Sequence, residues 1–173
     1  TSWDGIRIGL TNDGELSVNF TTTNYTAFTI AAAEAGVESF TETFNLKFAT
    51  KISTRANGTK DVTMTMWIND KLVMQDLEVG GMSGIGDYAG VLTWFGASVT
   101  VSTPEEKEPG ATEPDVSDGA TPEEMGYTRY TLADLGIADG KYSANAVNTK
   151  DTGGLNSKYL DVDVSFGYKA DGT

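Results

Sequence analysis

The chain has no cysteine and no histidine, and its four prolines all fall between Pro104 and Pro122. The first two absences remove disulfide staples, thiolate zinc sites, cysteine nucleophiles, serine nucleophiles activated by histidine and imidazole general bases in one step. Most familiar enzyme chemistries go with them. Basic residues are scarce as well: 12 Lys and Arg stand against 25 Asp and Glu, a net charge of −13. A phosphate-binding face needs a basic patch and none is visible, which argues against nucleic acid and anionic membrane surfaces as partners. No apolar run approaches the roughly 20 residues of a membrane-spanning helix, and the segment from Thr1 does not read as a signal peptide. The sequence reads as a mature or excised segment.

What is present suits one domain, or one domain with an appendage: 173 residues that are 39% hydrophobic can bury a real core. A cysteine-free, acidic composition rich in Thr, Gly and Asp fits a secreted or wall-attached bacterial module, so the expected location is extracellular.

Strand patterning is dense in the first hundred residues. "GIRIGL", "ELSVNFTT", "YTAFTIAA", "TFNLKFATKIS", "DVTMTMWINDKLVMQDLEV" and "GVLTWFGASVTVST" are rich in Thr, Val, Phe and Ile, and several alternate apolar with polar residues. In "TFNLKFATKIS", Phe44, Leu46 and Phe48, extended by Thr50 and Ile52, point one way and Asn45, Lys47, Ala49 and Lys51 the other, which predicts one buried and one wet face. Val62, Met64, Met66 and Ile68 alternate in the same sense, and "NDK" at 69–71 predicts a hairpin turn. Trp67 falls on the opposite face, either towards solvent or under a second layer; alternation alone does not choose. Only "IAAAEAG" has helical propensity, and it is too short to stand alone.

Between residues 104 and 126 the composition turns to Pro, Glu, Asp, Gly, Ala and Thr, with eight acidic residues against the single Lys107. Prolines and like charges predict an extended linker or solvated loop. After it, residues 127–173 return to strand patterning: Leu160, Val162, Val164 and Phe166 alternate against Asp161, Asp163 and Ser165. A tail this short cannot build its own core, so its apolar face must complete another sheet. The expected organisation is a body over 1–103, a linker over 104–126, and C-terminal strands over 127–173 that finish the sheets within their own chain or in a neighbour. The fold class expected is all-β, a two-sheet antiparallel sandwich.

"YTLADLGIADGKYS", "YLDVDVSF", "SWDGIRIGLTNDGELSVNF", "AEAGVESFTETFNLKF", "TKDVTMTMWINDKLV" and "GASVTV" together carry a resemblance. They look like successive pieces of a concanavalin-A-like (laminin-G-like) jelly-roll module that recurs in large secreted surface proteins of gut Gram-positive bacteria. The order differs from that family: its opening strands lie here at the C-terminus, after the linker, and "YKADGT" followed by "TSWDG" would read as continuous family sequence. Two arrangements fit. The tail folds back into its own sandwich, as in a circular permutant, or it donates strands to the next molecule. The intramolecular route is favoured by the high effective concentration of a tethered tail.

The resemblance implies binding of a glycan or host glycoprotein through loops at the rim of the sandwich, with calcium as the one cofactor it allows. The expected ligand-binding residues are Trp3, Asp4, Asn12 and Asp13 in "WDG" and "TNDG", and Asp87, Tyr88 and Trp94 in and after the Gly-rich stretch 80–90. Aromatic faces stack on sugars, and Asn and Asp bond hydroxyls or a hard cation. Core tryptophan, ordinary β-turns and a plain glycine loop account for the same residues without a ligand. "LDVDVSF" resembles the acidic strand of concanavalin-A-like glucanases, yet it offers Asp161 and Asp163 without a glutamate, so a solvated strand face is expected there and no catalysis. Sequons begin at Asn19, Asn24 and Asn57. The function expected is a non-catalytic adhesion or carbohydrate-binding module, with a self-assembling structural subunit as the alternative.

Overall fold

The computed structural model describes residues 5–20, 25–82, 89–91, 93, 97–106, 119–143, 146–148 and 155–167. They form twelve strands and one helical turn: β1 (Ile6–Leu10), β2 (Leu16–Phe20), β3 (Tyr25–Ile30), α1 (Ala32–Ala35), β4 (Phe44–Thr54), β5 (Lys60–Ile68), β6 (Lys71–Met82), β7 (Ala89–Val91), β8 (Ser98–Ser102), β9 (Thr128–Tyr130), β10 (Gly140–Tyr142), β11 (Ala146–Asn148) and β12 (Lys158–Gly167). One sheet has the order β1-β2-β3. The larger sheet runs β10-β8-β12-β4-β5-β6 with β9 alongside β12, and β7 pairs separately with β11. Every pairing is antiparallel except β9 with β12.

The two main sheets share one core, which makes the fold an all-β sandwich. Leu16, Val18 and Ile30 of the small sheet join Phe44, Leu46, Phe48, Val62, Met64, Met66, Ile68, Val162 and Val164 of the large one in a single buried cluster. These are the residues that period-two alternation assigns to one face. Burial of each contributes about 1.5–3 kcal/mol relative to exposure. Asn69 and Asp70 both have positive φ, 48° and 64°, and turn β5 into β6 as a two-residue hairpin whose twist suits the strands.

Three corners of the sandwich repeat one seven-residue device. In "AAAEAGV" (31–37), "TPEEMGY" (121–127) and "TLADLGI" (131–137), the fifth amide bonds the first carbonyl, the sixth bonds the third and the seventh bonds the second. Each glycine sits in the left-handed region, with φ 80°, 85° and 71°, which is the Schellman ending of a one-turn helix. The acid at the fourth position reaches back to the first amide: Glu34 to Ala31, Glu124 to Thr121, Asp134 to Thr131. Ala35, Leu132, Leu135 and Tyr127, all from these turns, are buried.

The tail completes the large sheet. β12 lies between β4 and β8, with Val162 opposite Leu46 and Val164 opposite both Phe44 and Val101. Among the described residues, β8 has only β10 and β12 as strand partners, so it is joined to the large sheet by strands from beyond residue 127, while β7 and β11 form a pair of their own.

Two expectations need correction. The second face of the large sheet is not simply wet: Ala49, Thr65 and Trp67 are at most 1% exposed and Tyr159 is 3% exposed. The cause is residues 119–127, the last of which were expected to begin the tail and the rest to extend as linker. They lie across that face instead, with Trp67 Nε1 donating to Ala120 O at 2.7 Å and Met125 and Tyr127 packed against the same cluster. Close passage is enforced at Gly119, where a Cβ would meet Leu72 Cβ at 2.7 Å. Asp161 is likewise not on a solvated face, being 6% exposed beneath Arg129.

Candidate functional site

The covered face of the large sheet carries two adjoining zones, set by strand register. Tyr159 opposite Ala49, with Trp67 on the next strand, forms the apolar zone. Asp161 opposite Lys47, and Asp163 opposite Asn45, form the polar one. Alternation places these residues together for the same reason that it buries Val162 and Val164 behind them.

The polar zone is a connected network. Asn45 Nδ2 donates to Asp161 Oδ1 at 2.9 Å and to Asp163 Oδ1 at 3.1 Å, bridging two carboxylates that would otherwise repel. Arg129 Nε donates to Asp161 Oδ2 at 2.9 Å, and its Nη1 reaches Glu106 at 3.4 Å. Lys47 pairs with Asp70 in the β5–β6 turn. That turn is latched to β4 by Asn69, whose Oδ1 accepts from Asn45 N at 2.8 Å while its own N–H donates to Asn45 O at 2.9 Å. Lys47 and Asp70 keep side-chain exposures of 20% and 33%, so this end of the network faces solvent.

The apolar zone is closed by aromatic contacts. Trp67 meets Tyr127 edge to face at 6.4 Å, and Lys51 Nζ sits 5.1 Å from the Tyr127 ring centre. The Tyr159 hydroxyl donates to Glu123. Burial, and next the Glu123 carboxylate that accepts its proton, push the Tyr159 phenol above the ordinary phenol range.

Chemically, the network supplies fixed donors and acceptors. Asp161 is occupied by Arg129 and Asn45, and its neighbour Asp163 shares the same amide. Among the described residues, no three acidic side chains gather as a metal site.

Of the seven residues expected to bind ligand, Asn12 and Asp13 are described, both exposed in the turn closed by Gly14 N to Thr11 O at 3.1 Å. Trp3, Asp4, Asp87, Tyr88 and Trp94 lie outside the described residues. The structure adds Asn45, Lys47, Asp70 and Arg129. Asn45 and Lys47 had a signal, their alternation in β4, whereas nothing local marks Arg129. Of the sequons, Asn19 is 8% exposed and bonded to Ser17 and Thr26, Asn57 is exposed, and Asn24 lies outside the described residues.

Comparison of the chain with protein-family models, with curated proteins and with solved structures gave no match.

Proposed function

We propose that the chain is a non-catalytic β-sandwich module of an extracellular bacterial surface protein, binding a glycan or glycoprotein through the open end of the polar zone. One observation carries this reading: donors and acceptors of both signs, Lys47, Asn45 and Asp163 on the sheet and Asp70 in the adjoining turn, are held in fixed positions, with Asn45 bridging the carboxylates of Asp161 and Asp163. Sugar hydroxyls take both kinds of hydrogen bond, and positions fixed before binding lower the ordering cost. The resemblance to concanavalin-A-like modules points the same way. A broad glycan array, read with the intact chain and with Lys47→Ala and Asp70→Ala, is the test. Binding that both substitutions weaken supports the reading; an array at background overturns it.

A second reading has its own support. Because, among the described residues, β8 pairs only with the tail strands β10 and β12, the tail of a second copy would offer the same pairings. The absence of native cysteine makes the test direct. With cysteines at the facing positions Lys47 and Asp161, oxidation gives a cross-linked monomer if the tail closes its own sheet and a covalent dimer if it is exchanged.

A further inference from the structure

The tip between β4 and β5 concentrates features that no other asparagine on the described surface combines. Four described asparagines are exposed: Asn12, Asn57, Asn69 and Asn156. Their following residues are Asp13, Gly58, Asp70 and Ser157, so only Asn57 precedes a residue without a side chain. A backbone nitrogen attacking the carboxamide of the residue before it closes a five-membered ring, and a Cβ on the attacking residue obstructs that closure.

The carboxamides also differ in what they hold. Asn69 Oδ1 latches Asn45 N, and Asn156 Oδ1 caps Ile52 N, so both are fastened to a neighbouring strand. Asn57 Oδ1 accepts instead from its own turn, from Thr59 N at 3.1 Å and Thr59 Oγ1 at 2.7 Å. Those bonds draw electron density from Cγ and fold the carboxamide over the Gly58–Thr59 backbone. One contact opposes reaction: Gly58 N donates to Arg55 O at 2.9 Å. The tip must open to release that nitrogen.

Opening is restrained by a clamp. Arg55 Nε and Nη2 grip Asp61 at 2.9 and 2.7 Å, and Asp61 Oδ1 also accepts from Gly81 N at 3.3 Å, tying the start of the turn to β6. We propose that Asn57 is a self-modification site, converted through a cyclic imide with Gly58 to aspartate and isoaspartate, at a rate governed by the Arg55–Asp61 clamp. Hydroxide removes the Gly58 amide proton, the nitrogen bonds to Asn57 Cγ, and the Cγ–Nδ2 bond breaks with loss of ammonia. Water then opens the imide at either carbonyl, and no oxidant or reductant takes part. The aspartate product adds a negative charge to the tip. The isoaspartate product inserts an extra backbone carbon into a turn whose closure depends on its length.

The test uses the intact chain held at mildly alkaline pH, with peptide mapping that separates asparagine, aspartate and isoaspartate at each position. Asn57 is expected to convert first, and Asp61→Ala to accelerate its conversion about two- to fivefold, the effect of releasing one exposed ion pair on local opening. Arg55→Ala tests the clamp from the other side should Asp61→Ala lose the native circular dichroism spectrum, and Asn57→Gln must abolish the signal. Earlier conversion at Asn12 or any other asparagine, or an unchanged rate in both clamp variants, overturns the proposal.

Discussion

The two faces of the large sheet are made by the same strands and buried by different means. On the inner face Phe44, Leu46, Phe48, Val62, Met64, Met66 and Ile68 meet the small sheet, apolar against apolar. On the outer face Ala49, Trp67 and Tyr159 reach similar burial under a single strap, residues 119–127, and Asp161 does so beside the Arg129 side chain. The inner face is thus held by shape and area, the outer one by a few directed bonds: Trp67 to Ala120, Tyr159 to Glu123, Arg129 to Asp161. An area-driven contact loses stability in proportion to the volume removed, whereas a bonded one fails at particular atoms.

That contrast can be broken by substitution. Phe48→Ala, which opens a cavity between the sheets, should have the largest effect, about 3–5 kcal/mol by denaturant unfolding. Arg129→Met should come next at roughly 2–3 kcal/mol, because it leaves the Asp161 carboxylate covered and unpaired; adding Asp161→Leu should restore part of the loss. If the double variant were no more stable than the single, packing and not charge would hold β9. Trp67→Phe removes the bond to Ala120 O and part of the ring, for about 1–2 kcal/mol, and its distinguishing sign should be faster proteolysis within 119–127 while the inner core stays closed.

The smallest effect belongs to Tyr159→Phe, about 1 kcal/mol or less. Its value is the pH dependence. The folded state raises the Tyr159 phenol above its unfolded value, first through burial and then through Glu123, so its contribution is complete below about pH 10 and is lost as pH climbs beyond that. The native chain should therefore lose stability in alkali more steeply than the Phe variant; parallel curves would remove Tyr159 from the account of the outer face.

The inner face was legible in the sequence because alternation in β4, β5 and β12 is strict and its apolar members are large. The "NDK" turn was legible too, since Asn and Asp tolerate the two positive φ values that the hairpin demands. The strap was not: Pro, Glu and Thr in 119–127 look solvated by composition, and the decisive signal was positional. "TPEEMGY" spells a threonine cap, an acid three residues on and a glycine stop, the pattern that "TLADLGI" repeats ten residues later. The polar network was half legible. "DVDV" and "NLK" announce the strand faces, but Arg129 comes to Asp161 through a parallel pairing of β9 with β12, which no local pattern foretells.

β12 has the middle of the large sheet and comes later in sequence than both strands it lies between. Asn45 bonds Asp161 across 116 residues of sequence. During synthesis β4 therefore waits for its partner until all the residues between them have been made, with the edge that β12 will fill left open meanwhile. Long-range pairing of this kind slows folding and exposes the intermediate to aggregation. Translation order thus makes β12 a commitment step: a chain cut short before Lys158 carries β4 and β8 but lacks the strand that lies between them.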